Sequence, residues 1–295
     1  MKEIGKIAIS FDCEGKWGMI DENKPWINNL SKNNLYEIYE FILNVLEIND
    51  LKATFGFVGA LLESESEFRR KAESLKKGTN HKRWIEKFDE KYKSNDDGYF
   101  LPELRNLFAD NRHELATHGY CHIPFSLLTE KEAIKELELV ESQMKEAGID
   151  YSSMIFPRNK VAHQKLLKNY GIKRYRELPN HFNVPFFPAK VNSLLEGINV
   201  FKKAEHQIKG HVPGGIMMHW FYGYRKVIPI SVINKKHDSL IQDAIKHSKC
   251  AHIWLHPHNL ITSSKSKNMF IDLCKIIKNK ISAGDLLNVT FDQLS

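Results

Sequence analysis

An alternation of short apolar runs with amphipathic helical stretches constrains the fold of this 295-residue chain more than any other feature. Residues 6–12 (KIAISFD) read as a buried strand. NNLYEIYEFILNVLEIND follows, with Leu35, Ile38, Ile42, Val45 and Leu46 at helical spacing. KATFGFVG is a second strand, HELATHG a third, SSMIFPRN a fourth, and IKRYREL, GIMMHWFYG and CAHIWLHPHN three more. Between them lie TEKEAIKELELVESQMKEAG, capped by Thr129 and stopped by Gly148, HQKLLKNYG, ended by Gly171, and HDSLIQDAIKHS. NMFIDLCKIIKNKIS is a last helix, and NVTF a closing strand. Strands that alternate with helices imply parallel βαβ units. About seven repeats predict an α/β chain built as a barrel or a long doubly wound sheet, and both place active sites beyond the carboxyl ends of their strands.

Two stretches interrupt the rhythm, at about 62–112 and 179–212. Insertions on such a scaffold shape access to substrate, so they are read as part of a single domain over 1–295. Hydrophobic content of 42% and charged content of 27% exclude a disordered or fibrous chain. The +7 formal charge comes from scattered lysines, as in RRKAESLKKGTNHKRW, which read as a solvated face and form no recognisable nucleic-acid module. The MKEIGKIAISFD start resembles no signal sequence, and no window reaches the roughly 18 apolar residues of a membrane span, so a cytoplasmic location is expected. Cys13, Cys121, Cys250 and Cys274 lack paired spacing and are expected as free thiols.

Chemistry gathers where the strands run out. The first ends in Asp12 and Glu14, which are two residues apart and so share a face. The third ends in His118 and His122, the fourth in Arg158, the sixth in His219, and the last in His256 and His258. Taken singly, each has a bland reading as a polar strand end or a satisfied core histidine. Together, a carboxylate and two histidines are the ligand set of a catalytic zinc site, and the same set serves non-haem iron. The second carboxylate and the distant histidine supply a base and an acid, roles that Asp12 and His256 fill. Cys13 and Cys121 flank the ligand positions and are read as small buried thiols.

The order of an acidic first strand, HELATHGYCH, an Arg and Pro strand end and a late Leu-His resembles the polysaccharide deacetylase family, the nodulation-protein homology group of metal-dependent carbohydrate deacetylases. HELATHGYCH carries most of the likeness, through His113, Glu114, His118 and His122. The resemblance implies a distorted, seven-stranded (β/α) barrel of TIM-like type with insertions on the catalytic face. It implies His118, His122 and Glu14 as ligands of Zn2+ or of another divalent metal such as Co2+, Fe2+ or Mn2+. It makes Asp12 the base, with Arg158 orienting it, and His256 the acid. The chain departs from the family pattern where Cys13 separates the two acids, where Glu replaces the second aspartate, and where Pro157 precedes Arg158. Swapped roles for Asp12 and Glu14, and His258 in place of His256, stay open at this point. His219, Trp220 and Trp254 are candidates to line the pocket. The implied reaction removes an N-acetyl group from an amino sugar in a glycan or glycan precursor, nucleotide- or lipid-linked, as in lipopolysaccharide or O-antigen synthesis. Hydrolysis of a non-sugar amide and an inactive carbohydrate-binding relative are the competing readings.

Overall fold

The computed structural model describes residues 4–93, 98–109, 112–179, 187–206 and 208–294. Its strands are β1 (Gly5–Cys13), β2 (Thr54–Phe57), β3 (Glu114–Thr117), β4 (Ser153–Met154), β5 (Arg174–Arg176), β6 (His211–Val212), β7 (Ile216–Met217), β8 (Cys250–Leu255) and β9 (Leu286–Asn288). They hydrogen-bond in the order β6-β5-β4-β3-β2-β1-β8-β7, with β9 added on β1, and the pairings between them are parallel. That is the cyclic order of a (β/α) barrel with a seam between β6 and β7.

The expected barrel is therefore present, with nine strands among the described residues rather than seven. One addition is β6, inside the stretch read as an insertion. Only Pro213, Gly214 and Gly215 separate it from β7. A link that short cannot return the chain for side-by-side parallel pairing, which needs a dozen residues or more, so the run pairs with β5 at its start and β8 at its end. The other is β9, the closing strand expected at NVTF beyond the seven, which begins two residues earlier and takes the lower edge of β1, Gly5–Ile7. The 3-10 turn Phe291–Gln293 occupies the end of the expected closing strand.

The two faces of β1 separate packing from chemistry. Ile7, Ile9, Phe11 and Cys13 join the large core beneath the helices, which includes Leu35, Ile38, Ile42 and Leu46 of helix Lys32–Ile48. Ala8 joins a smaller cluster with Ile155, Val212, Cys250, Val289 and Phe291. Ser10 and Asp12 share the Ala8 face by strand alternation, and all three are buried. The inner face thus turns from apolar to polar toward its carboxyl end.

Helix Glu130–Glu146 begins with a capping box in which Thr129 and Glu132 satisfy each other's backbone N–H groups, and Gly148 beyond its end has φ +66°. Residues 62–112 supply helices Glu65–Leu75 and Thr79–Lys91. Their Phe68 and Phe88 pack with Tyr99 around Trp17, on the turn just after β1, and Trp17 Nε1 donates to Tyr99 O at 2.7 Å. Part of the 179–212 stretch, residues 180–186 and 207, lies outside the described residues. Among those described, no helix is long and apolar enough to cross a membrane.

Candidate metal centre

Three side chains from two strand ends meet at one point. Glu14 Oε1 lies 2.9 Å from His122 Nε2 and 3.2 Å from His118 Nε2, and all three residues are buried. His118 directly follows β3 and donates from Nδ1 to Ile155 O at 2.7 Å, which leaves the Nε2 lone pair facing Glu14. His122 reaches the same oxygen from a left-handed backbone, φ +61°, an uncommon state for a residue with a Cβ. Close packing also holds Glu14, since a Cβ at Gly18 would sit 1.9 Å from Glu14 Oε2. One nitrogen each from two histidines and one carboxylate oxygen, all within 4.8 Å of one another, fit a divalent cation of the zinc class. Burial disfavours ionised Glu14, but His122 and His256 outweigh it and hold the carboxyl well below its usual range. Burial likewise lowers the His122 pKa, against the pull of Glu14.

Asp12 stands beside this cluster in a different setting. Arg176, the last residue of β5, grips it through two parallel bonds, Nη1 to Oδ1 and Nη2 to Oδ2, both 2.7 Å. Nη2 also donates to Asn159 Oδ1 at 2.8 Å, and the guanidinium carbon lies 4.5 Å from the Trp254 ring centroid. Burial opposes the Asp12 charge, yet Arg176 overrides it and lowers the pKa. His256 completes the group, with Nε2 3.4 Å from Glu14 Oε1 and 3.9 Å from Asp12 Oδ2. Burial works against its imidazolium, but Glu14 and Asp12 raise its pKa overall.

Several expected residues sit where the sequence pattern places them, and others do not. Arg158 does not reach Asp12. It lies in a 3-10 turn, Pro157–Asn159, with φ +57°, and bonds Gly18 O at 2.8 Å and the Asp21 carboxylate. Its expected contact belongs to Arg176, and the neighbouring Asn159 is the part of PRN that joins the clamp. The pattern IKRYREL shows a strand but not this role, because the partner of Arg176 lies 164 positions away in Asp12. His256 and His258 are not on a strand face: β8 stops at Leu255 and Pro257 opens helix Pro257–Ile261. His258 stacks on Trp26, and burial pushes its pKa down to about 3, so it stays neutral. His113 and Glu114 lie at the opposite end of β3. There Ala53 N donates to His113 Nδ1 at 3.3 Å and the Thr54 hydroxyl to Glu114 at 2.7 Å.

A cavity of about 330 Å³ opens onto Asp12, Glu14 and His256, with Trp26, Arg158 and Trp220 on its walls. Of the other pocket candidates, His219 and Trp254 line an adjoining cavity of about 610 Å³, which shares Met217 and Arg225 with the first. All four cysteines are buried and free.

Residues 31–174 match the sequence model of the polysaccharide deacetylase family. The matched region is the part of the chain similar in sequence to that family. It contains His118 and His122, while Asp12, Glu14, Arg176 and His256 come from the chain on either side of it. No curated protein matches the sequence. The fold is similar to that of a Mycobacterium smegmatis protein assigned as a polysaccharide deacetylase, with 12% identity and TM-score 0.57 over 98% of this chain and 94% of that one. It is also similar to a CE4 family pseudoenzyme from Bacillus anthracis, with 11% identity and TM-score 0.51 over 100% of this chain and 66% of that one. A mutant of that pseudoenzyme with restored enzymatic activity aligns at 11% identity and TM-score 0.51, over 100% and 68%. At such identities the likeness shows the polysaccharide deacetylase fold alone, so activity has to be argued from the site.

Proposed function

We propose that this chain is a metal-dependent carbohydrate deacetylase that removes an N-acyl group, most simply N-acetyl, from an amino sugar. The observation that carries the reading is the convergence of Glu14, His118 and His122 beside an arginine-clamped Asp12, with Glu14 and Asp12 both lining one cavity. Glu14, His118 and His122 would hold the cation, with Zn2+, Co2+, Fe2+ and Mn2+ all compatible with the donors. When bound, the ion supplies Lewis acidity, polarising an acyl oxygen and acidifying water.

The chain's own groups do the rest. The Arg176 fork keeps Asp12 ionised and fixes its plane, leaving Oδ2 on the side of His256 to accept a proton from the attacking water. Oxygen adds to the acyl carbon, the C–N bond breaks, and His256 Nε2 delivers a proton to the departing amine. The 330 Å³ cavity has room for a sugar ring, and the +7 charge suits a phosphate-bearing, nucleotide- or lipid-linked precursor. We assign the activity to one domain over residues 1–295.

Acetate release from N-acetylated sugar nucleotides and oligosaccharides, with and without added zinc, tests this reading. Wild type should turn over sugars in preference to simple amides, and chelation should abolish turnover. Equal release by wild type and Asp12→Asn would remove Asp12 as the base. No bound divalent ion, together with sugar binding indifferent to chelator, would favour an inactive carbohydrate-binding protein.

A further inference from the structure

The two histidines of the metal centre are supported unequally. His118 is oriented by its Nδ1 bond to Ile155 O, the kind of outer contact that ligating histidines almost always have. His122 Nδ1 is buried and has no partner among the described residues. Its ring direction must come from the backbone that carries it, and that backbone is in the strained left-handed region.

The loop before His122 is gripped from several sides. Glu136, on helix Glu130–Glu146 and fully buried, accepts at Oε1 from Tyr120 N at 2.7 Å and Cys121 N at 3.0 Å. Its Oε2 faces His81 Nε2 at 2.9 Å, on helix Thr79–Lys91. Trp84 of the same helix donates from Nε1 to Cys121 O at 2.7 Å. Gly59 N and Ala60 N take the carbonyls of Gly119 and Tyr120 at 2.9 and 2.8 Å. A fully buried carboxylate is costly unless several donors meet it, and these donors belong to the segment that aims His122.

We propose that Glu136 is the positioning residue for His122: through the N–H groups of Tyr120 and Cys121 it holds the metal-ligand loop in its left-handed turn, with His81 and Trp84 bracing it from the 62–112 insertion. This rests on the metal-centre reading above. It also gives the insertion a task, since its helix Thr79–Lys91 reaches the ligand loop without lining the 330 Å³ cavity.

The test is zinc affinity of the purified full chain, by competition with a chromophoric chelator, alongside apo-protein melting. Glu136→Ala should bind zinc about 10- to 100-fold more weakly. Glu136→Gln, whose amide oxygen can still accept both N–H groups, should stay within a few-fold of wild type. Val140→Ala, one turn along the same helix and fully buried, should lower the melting temperature and leave affinity unchanged. Should Glu136→Ala not fold, Trp84→Phe keeps the aromatic ring, removes one grip on Cys121, and should weaken zinc binding by less than tenfold. Wild-type affinity in Glu136→Ala or, where that variant does not fold, in Trp84→Phe, or equal loss in Val140→Ala, would overturn the proposal. A second bound equivalent of zinc that disappears in Cys121→Ser would also overturn it, because His81, Cys121 and Glu136 would then be ligands and not a brace. Wild-type protein that binds no zinc would fail at the metal centre itself, a result distinct from zinc binding that ignores Glu136.

Discussion

The two ends of the sheet both carry polar side chains, but they are buried and partnered differently: Glu114 and Asn288 at the amino ends are half-buried, and Asp12 and Glu14 at the carboxyl ends are buried. At the amino ends, Glu114 takes the Thr54 hydroxyl at 2.7 Å and Asp292 N at 3.1 Å. Asn288 links Lys52 N, Lys52 O and Ile7 O at 2.6, 3.1 and 3.3 Å. These partners are backbone groups and a hydroxyl, so the interactions lock strands together. At the carboxyl ends, Glu14 faces imidazoles, and Asp12 faces a guanidinium on one side and a histidine on the other. A cavity does not by itself separate the two ends, because Glu114 and Asp292 also line one, of about 690 Å³; at the carboxyl ends, however, titratable side chains face one another and can share a ligand or a proton. What marks the carboxyl end is therefore the kind of partner, together with deeper burial.

The sharpest way to break that contrast is to change one acid at each end. Asp12→Asn keeps the size of the side chain but removes the carboxylate proposed as proton acceptor, and leaves one acceptor oxygen instead of two for the Arg176 fork. The kcat for acetate release should fall about 10²- to 10⁴-fold while zinc content stays near wild type. Glu114→Ala should do the reverse, lowering stability by about 1–3 kcal/mol in denaturant unfolding with kcat and zinc content unchanged. Next in size is Arg176→Leu. It leaves the Asp12 carboxylate buried without its guanidinium, and removing one partner of a buried pair costs about 3–5 kcal/mol, readable from the same unfolding curves. A loss below about 1 kcal/mol would mean that His256 and water already compensate Asp12.

Histidines held neutral inside the molecule sharpen the comparison through pH. Burial pushes His252 and His237 down to about 3, and His252 is bonded to Pro213 O at 2.6 Å and Ser10 Oγ at 2.9 Å. The unfolded chain protonates these rings near pH 6.5, while the folded chain does so only near 3. Their contribution is complete above about 6.5 and is lost as pH falls toward 3. Each should add a slope of about 1.4 kcal/mol per pH unit between pH 6 and 4. His252→Leu should flatten the measured dependence by about that amount.

Much of this was legible in the sequence because it depends on local patterns. Period-2 and period-3.6 hydrophobicity placed β1, β2, β3, β8 and the long helices, and caps such as Thr129 marked helix starts. The pair Asp12 and Glu14 could be read from strand alternation, and His118 with His122 from spacing. β6 could not, because two residues of strand carry no periodicity and owe their pairing to β5. Arg176 was hidden for a related reason: its meaning comes from Asp12, 164 positions away, and nothing local tells a clamping arginine from a solvated one.

Arg158 supplies the smallest and most discriminating test. It was the arginine expected at Asp12, and its neighbours explain why it is elsewhere. Pro157 and the left-handed φ of Arg158 turn the chain out of line after β4, so the side chain runs along the rim of the cavity toward Asp21 and Glu22. With a side-chain exposure of 30%, its ion pairs are screened and worth about 0–1 kcal/mol. Arg158→Gln should therefore change unfolding free energy by less than about 1 kcal/mol, a fraction of the Arg176→Leu loss. Because it stands on the cavity wall and touches neither acid, its kinetic effect should fall on KM for anionic substrates more than on kcat. A fall in kcat as large as that of Asp12→Asn, with KM unchanged, would place Arg158 back beside the reacting atoms and make the Arg176 clamp a structural bond like those at the amino ends.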